Sequence, residues 1–157
     1  MIWKIPSKIK VYEALGTIAD KRIELAEDKK SAKVFSSSRN KFYTVTYEES
    51  SNSIMANDNG SYWQSYLGYP SISFLMLIGK ITYKKEIAEA LKGIVWKDLN
   101  AKFKNDFEGS MNFVMQEVEK NGVSKEEIEK EVDKIYEQII NLNMNMLGPK
   151  IMPPSGY

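Results

Sequence analysis

The sequence predicts a single α+β domain: an N-terminal helix, a small antiparallel β-meander, then a mainly helical C-terminal half ending in an αα-hairpin. Three observations carry this. Residues 41–48 (KFYTVTYE) alternate and are rich in aromatic and β-branched residues, which suit a pleated surface. Ile128, Val132, Ile135, Ile139 and Leu142 recur at the three- and four-residue spacing of one helical face. A chain of 157 residues, 43% apolar and 27% charged, has the size and balance of one globular domain.

The first helix is expected within residues 1–20. Pro6 suits its first turn, and Ile9, Leu15 and Ile18, with Val11 and Tyr12, supply the apolar stripe. Gly16 weakens that helix, and Asp20-Lys21 turns the chain. The meander occupies residues 22–57. It takes in the alternation from Arg22 to Glu27, a second strand over 32–37, the strand over 41–48 and a short strand over 53–56. Residues 57–61 (NDNGS) are a loop dense in turn formers.

The helical part is expected over 61–146. Tyr62 to Leu67 forms a helical turn, and Pro70 opens an apolar helix over 71–79. Thr82 caps a helix that runs through Leu91 to a stop at Gly93, and Trp96 to Phe103 makes a further short helix. Asn105 followed by Glu108 resembles a capping arrangement, and Ser124 with Glu127 is a capping box. Phe107, Met111, Val114 and Val118 form the partner seam of the hairpin, with Asn121-Gly122 as the stop between the two helices. Residues 147–157 hold three prolines and form an irregular tail.

Composition excludes much chemistry. The chain has no His and no Cys, so it contains no Cys–His dyad, no Ser-His-Asp triad, no His or Cys zinc site and no disulfide. The sequence calls for no cofactor and no metal. Net charge is +1, which argues against a dedicated nucleic-acid binder. Only Arg22 and Arg39 are arginines, so bidentate base readout is not expected. The opening MIWKIPSK is not a signal peptide, and the apolar run 72–78 is too short to span a bilayer, which implies a cytoplasmic protein with no membrane partner. Asn57 to Gly60 resembles the start of a calcium loop, but the twelfth position is Gly68, where a carboxylate is required. Asp58 is expected to cap the following turn instead. Glu126, Glu127, Glu129, Glu131 and Asp133 read as a solvated helix face.

Residues 34–77 carry one family resemblance. Tyr43-Thr44-Val45 stands at a Tyr-x-Val strand. Ile54 and Ala56 then occupy the positions of a Cys-x-Cys pair and Asp58 that of the Asp after it. Tyr69 and Ser71 hold the positions of Cys-x-His, and Ile72, Phe74 and Leu75 open an apolar helix. The segment resembles a SWIM-type ββα unit without its zinc ligands. SWIM fingers bind DNA or protein, so the resemblance implies an interaction module. In residue usage, rich in Lys, Ile, Asn and Tyr, the chain is similar to small uncharacterised proteins of AT-rich bacteria or archaea.

The expected function is therefore a non-enzymatic interaction module that binds protein or, weakly and without sequence preference, nucleic acid. Aromatics interleaved with cations can stack bases. The candidate binding residues are Lys33, Arg39 and Lys41 for charge, with Tyr62, Trp63 and Tyr66 for stacking; the reading set against it is that the same rings cap the end of a small core. Two alternatives stand beside this reading. One is a His-free enzyme using carboxylate, Lys, Tyr or Ser groups, which a deep pocket holding a buried Asp, Glu or Lys would favour. The other is a self-associating subunit, a homodimer through the C-terminal helix, if Ile139, Leu142 and Met146 lie uncovered.

Overall fold

The computed structural model describes residues 1–104 and 106–155. The order of elements is α1 (Ile9–Ala19), β1 (Ile23–Leu25), β2 (Ser31–Phe35), β3 (Phe42–Glu48), β4 (Ser53–Ala56), a π turn (Gly60–Gln64), α2 (Tyr69–Leu77), α3 (Lys85–Glu89), α4 (Trp96–Lys102), α5 (Phe107–Lys120), α6 (Lys125–Leu142) and β5 (Asn145–Met146). The fold class is α+β, with the helix, meander and helical half in the predicted order.

Strands β1 to β4 form an antiparallel meander, in sheet order β1-β2-β3-β4-β5. Alternation sets its two faces. Along β3, Tyr43, Val45 and Tyr47 are buried while Phe42, Thr44, Thr46 and Glu48 are exposed. The register places Ala32 opposite Val45, Val34 opposite Tyr43, and Tyr47 opposite Ile54, so the inner face is continuous across three strands. Helix α2 lies on that face, α1 lies against α2, and α3 and α6 lie against α1. Because α2 is enclosed by sheet and helix, seven of its nine residues are buried, and it is apolar on all sides.

The structure corrects the sequence expectations at several points. The sheet has a fifth strand: β5 pairs parallel with β4, through Asn145 N–H to Asn52 O and Leu147 N–H to Ile54 O. Residues 145–146 are thus strand, where helix was expected. The chain before Lys8 is extended. Ile2 bridges Asn145, and the buried Trp3 donates its indole N–H to Ile54 O at 2.9 Å. Pro6 precedes α1 and restricts Ile5 to extended backbone. Thr82 caps no helix. The Gln138 amide takes the Thr82 N–H and donates to the Thr82 carbonyl, and α3 begins only at Lys85. The Lys84 N–H is instead held by Oε2 of Glu131. Glu131 is therefore a buried side chain within the run read as a solvated face.

The Ser124–Glu127 capping box is present in both directions. Ile128, Val132, Ile135 and Ile139 are buried, and Leu142 and Met146 are half-buried against the core, all within one chain. In α5, Val114 and Val118 are buried and Met111 is partly so. Asn105 and the Phe107 side chain, named above for a cap and a seam, lie outside the described residues. Among the described residues, no helix is long and apolar enough to cross a membrane.

Candidate functional site

A cavity of about 390 Å³ opens at the end of the sheet where β2 finishes, β3 starts and β4 leaves. Its walls come from α1 (Lys10, Glu13), the segment after α1 (Arg22), the β2–β3 loop (Ser36, Ser37), β3 (Tyr43), the segment after β4 (Asp58 to Gly60), α2 (Tyr69) and α4 (Trp96, Lys97, Asn100). Pockets of this size, walled by rings with a few placed polar groups, are the usual form of a small-molecule site. Tyr43 and Tyr69 meet edge-to-face, with ring centroids 6.3 Å apart at 84°.

Three of the wall side chains are charged groups almost without exposure: Glu13, Arg22 and Asp58. Asp58 closes the first turn of the π segment. Its Oδ1 accepts from Ser61 Oγ at 2.6 Å and its Oδ2 from the Ser61 N–H at 3.2 Å. This is the cap the sequence suggests, but on a buried carboxylate. Gly68 makes room for it, because a Cβ there would lie 2.1 Å from Asp58 Oδ2. Burial pushes the Asp58 carboxyl above its ordinary range, against the hydrogen bonds from Ser61 and the charge of Lys10.

Lys10 sits among these acids. Its Nζ lies 2.9 Å from Glu13 Oε2, an ionic contact that lacks hydrogen-bond geometry. Burial lowers the Lys10 pKa, but Glu13, Tyr66 and Asp58 outweigh it, and the net shift is upward. Tyr66 is held above its usual range, chiefly by burial. Its ring stands where a Gly60 side chain would be, 2.3 Å from an ideal Cβ.

The raised Asp58 carboxyl gives a pH prediction. The folded state holds this proton more tightly than the unfolded chain. The group's contribution to stability is therefore present below the unfolded pKa and is lost as pH rises through the folded one. A ¹³C NMR titration of the Asp58 carboxyl is expected to give a midpoint above the ordinary aspartate value; an ordinary midpoint would contradict its burial.

Arg22 also lines the cavity. Its Nη1 donates to Phe35 O at 2.8 Å, and its Nε lies 3.4 Å from Asp20 Oδ2. Trp96 is buried beside it, with an indole N–H that has no acceptor among the described residues and no access to water. Gly16 admits both, since Trp96 Nε1 and Arg22 Nη2 lie 3.1 and 4.0 Å from where its Cβ would stand. The glycine that reads as a helix weakness is a point of close approach.

A family model matches residues 3–145 of the chain. The chain belongs to the family described as uncharacterised conserved protein UCP014422. The matched span of this UCP014422 member runs from the N-terminal extended segment to β5 and takes in every residue lining the cavity. No significant match was found among curated proteins or among solved structures. The strand–strand–helix order of the SWIM resemblance is present as β3, β4 and α2, but the family match gives no support for a SWIM unit.

The six predicted binding residues do not converge. Lys33 lies on the exposed sheet face, with Nζ 5.2 Å from the Phe42 ring centroid. Arg39 reaches back from the β2–β3 loop to Asp20 O at 2.7 Å. Lys41 lies over the Tyr43 ring, on the inner side of β3. Tyr62 and Trp63 pair edge-to-face at 4.7 Å on the π turn, where Trp63 is exposed, while Tyr66 turns inward to Lys10. Glu13, Arg22 and Trp96 went unselected. The available signals were Glu13 beside the apolar stripe of α1 and Arg22 as one of two arginines among twenty lysines.

Proposed function

We propose that the protein is a small-molecule-binding domain whose site is the cavity between α1, α4 and the end of the sheet. The observation that carries this is the set of buried charges, Glu13, Arg22 and Asp58, opening on one space walled by Tyr43, Tyr69 and Trp96. Burying charge is unfavourable unless it is compensated. A fold that gathers three such groups around an open volume supports a ligand-binding reading over a packing role. It also moves the interaction-module reading from macromolecular partners to a compact ligand.

Asp58 favours a second reading, a His-free enzyme acting on that ligand. A buried carboxyl held above its ordinary range at a cavity wall is a fit group for general acid–base work.

The test is a thermal-shift screen with a panel of small organic acids, amines and neutral heterocycles. Asn100→Trp serves as the comparison, because Asn100 is half-buried on the cavity wall and its one hydrogen bond, to Glu13 Oε1, is long at 3.4 Å. A ligand in hundredfold excess over its Kd stabilises the fold by about 2.7 kcal/mol, a shift readily measured. At least one class is expected to raise the melting temperature of the wild type and to lose that effect in Asn100→Trp. A panel without effect on the wild type, or hits that shift both proteins equally, would sink the reading.

A further inference from the structure

We infer that the protein docks on an anionic phospholipid surface through the face where its N-terminal segment, its π turn and its C-terminal tail meet. This is independent of the cavity and of any ligand there.

The three segments are far apart in sequence and are tied together at Ser65. Its carbonyl accepts the Lys4 N–H at 2.9 Å, and its hydroxyl takes the Lys150 ammonium, which also reaches Tyr62 O at 3.1 Å. Ile2 bridges Asn145, just before the tail begins. The extended backbone that turns Trp3 into the core turns Ile2 and Lys4 outward. Ten large apolar side chains are exposed among the described residues, and six of them lie on these segments: Met1, Ile2, Ile5, Trp63, Ile151 and Met152. Scattered apolar side chains on a surface need no explanation, but a gathered set marks an interaction site.

Charge selects the occupant. None of the chain's 21 acids falls within residues 1–12, 59–85 or 138–157, the stretches that hold the three segments. Asp58, just before the π turn, is buried on Ser61. Lys4 has no ion pair among the described residues. The partners of Lys150 are a carbonyl and a hydroxyl, so its charge stands. Lys8, farther along, is matched by Asp133 at 2.8 Å. The segments thus present apolar and positive side chains together. A second copy on a two-fold axis would bring these lysines against each other. A nucleic acid would match the lysines and leave the aliphatic side chains without a counterpart. An anionic bilayer matches both. Its phosphates and carboxylates draw lysines, its acyl boundary takes Ile and Met, and Trp seats at headgroup level. The backbone here is loop and π turn, so it stays at the headgroups, where water serves its polar groups, and only side-chain ends go deeper. Peripheral docking of this kind needs no spanning segment. The sequence expectation of no membrane partner rested on the lack of one.

Tryptophan emission of the full chain reports the docking, because Trp63 is 65% exposed while Trp3 and Trp96 are 3% exposed. The probes are vesicles of phosphatidylcholine alone and of phosphatidylcholine with about a third phosphatidylserine, with co-sedimentation as the measure of binding. With phosphatidylserine the emission is expected to shift to shorter wavelength, and Trp63→Phe to lose that shift. Binding is expected to be at least ~10-fold stronger than to phosphatidylcholine alone, and Lys4→Glu to weaken it about 10-fold. The exposed pair Ile151→Asn/Met152→Asn is expected to weaken it at least ~10-fold. Val95→Asn, at an exposed apolar residue just before α4, is expected to leave it unchanged. No binding to either vesicle, or binding with the Trp63 emission unmoved, overturns the proposal. So does binding undiminished in the tail pair, or lowered equally by Val95→Asn. Equal binding to the two vesicles overturns the anionic surface. A shift that grows with protein concentration and needs no vesicle assigns the face to a second copy. One produced by oligothymidylate and not by vesicles assigns it to nucleic acid. Either result overturns lipid docking.

Discussion

Ile135→Ala is expected to lower the unfolding free energy by about 2–4 kcal/mol, the range for emptying a buried aliphatic site. Ile135 lies mid-way along the apolar stripe of α6 and has no solvent exposure. That stripe faces α1 and α3, and both are fixed by further contacts, α1 to α2 and α3 through the Asn121 amide donating to Ala90 O. Walls held from both sides collapse poorly around a lost side chain, so the cavity term adds to the transfer term. Urea unfolding at constant m-value measures it. Ile140→Ala, on the exposed side of the same helix at 45% exposure, is the control and is expected to stay within about 0.5 kcal/mol. A loss under 1 kcal/mol at Ile135 would mean that the face of α6 is assigned wrongly.

Gly68→Ala is expected to cost about 2–4 kcal/mol, through overpacking and broken hydrogen bonds to a carboxylate. The backbone raises no objection, for Gly68 has φ −79° and ψ 168°, which alanine adopts freely. The whole effect is steric. The new methyl would stand 2.1 Å from Oδ2, 2.7 Å from Cγ and 2.9 Å from Oδ1 of Asp58. Asp58 has a short side chain pinned at both oxygens by Ser61, so it yields only by giving up those bonds. The double mutant Asp58→Ala/Gly68→Ala is therefore expected to be more stable than the sum of the single effects predicts, a coupling that denaturant titrations of the four proteins measure. Additive losses would show that Asp58 does not fill the space over Gly68.

Legibility followed locality. The β3 strand was readable because one of its faces is buried and the other exposed, so its residues alternate in kind. The α6 cap was readable because Ser124 and Glu127 satisfy each other within one turn. The fifth strand was not, since two residues, Asn145 and Met146, take their conformation from β4 and from Ile2, far away in the chain. The start of α3 was misplaced for a related reason: the N–H of Lys84, the residue just before it, is held by Glu131, from another helix. At the site, Asp58 was legible as a cap and illegible as a buried acid, because capping depends on the next three residues and burial on Gly68 and Lys10. Glu13 and Arg22 have the composition of surface residues, and only the convergence of α1, α4 and the sheet end makes them interior.

The parallel pairing of β5 with β4 also bears on the order in which the molecule comes together. Residues 53–54 are made early and wait for residues 145–146, so this pairing closes a loop containing most of the chain, the kind of contact whose entropy must be met before it stabilises anything. During synthesis the meander emerges with its β4 edge open, and the groups that will cover it, Asn145 on Asn52 and Leu147 on Ile54, leave the ribosome only after the helices between them. The late strand latches the helical half to the meander, and a chain stopped before residue 145 keeps every helix sequence yet exposes a bare sheet edge, the surface that most readily recruits a second copy into aggregates.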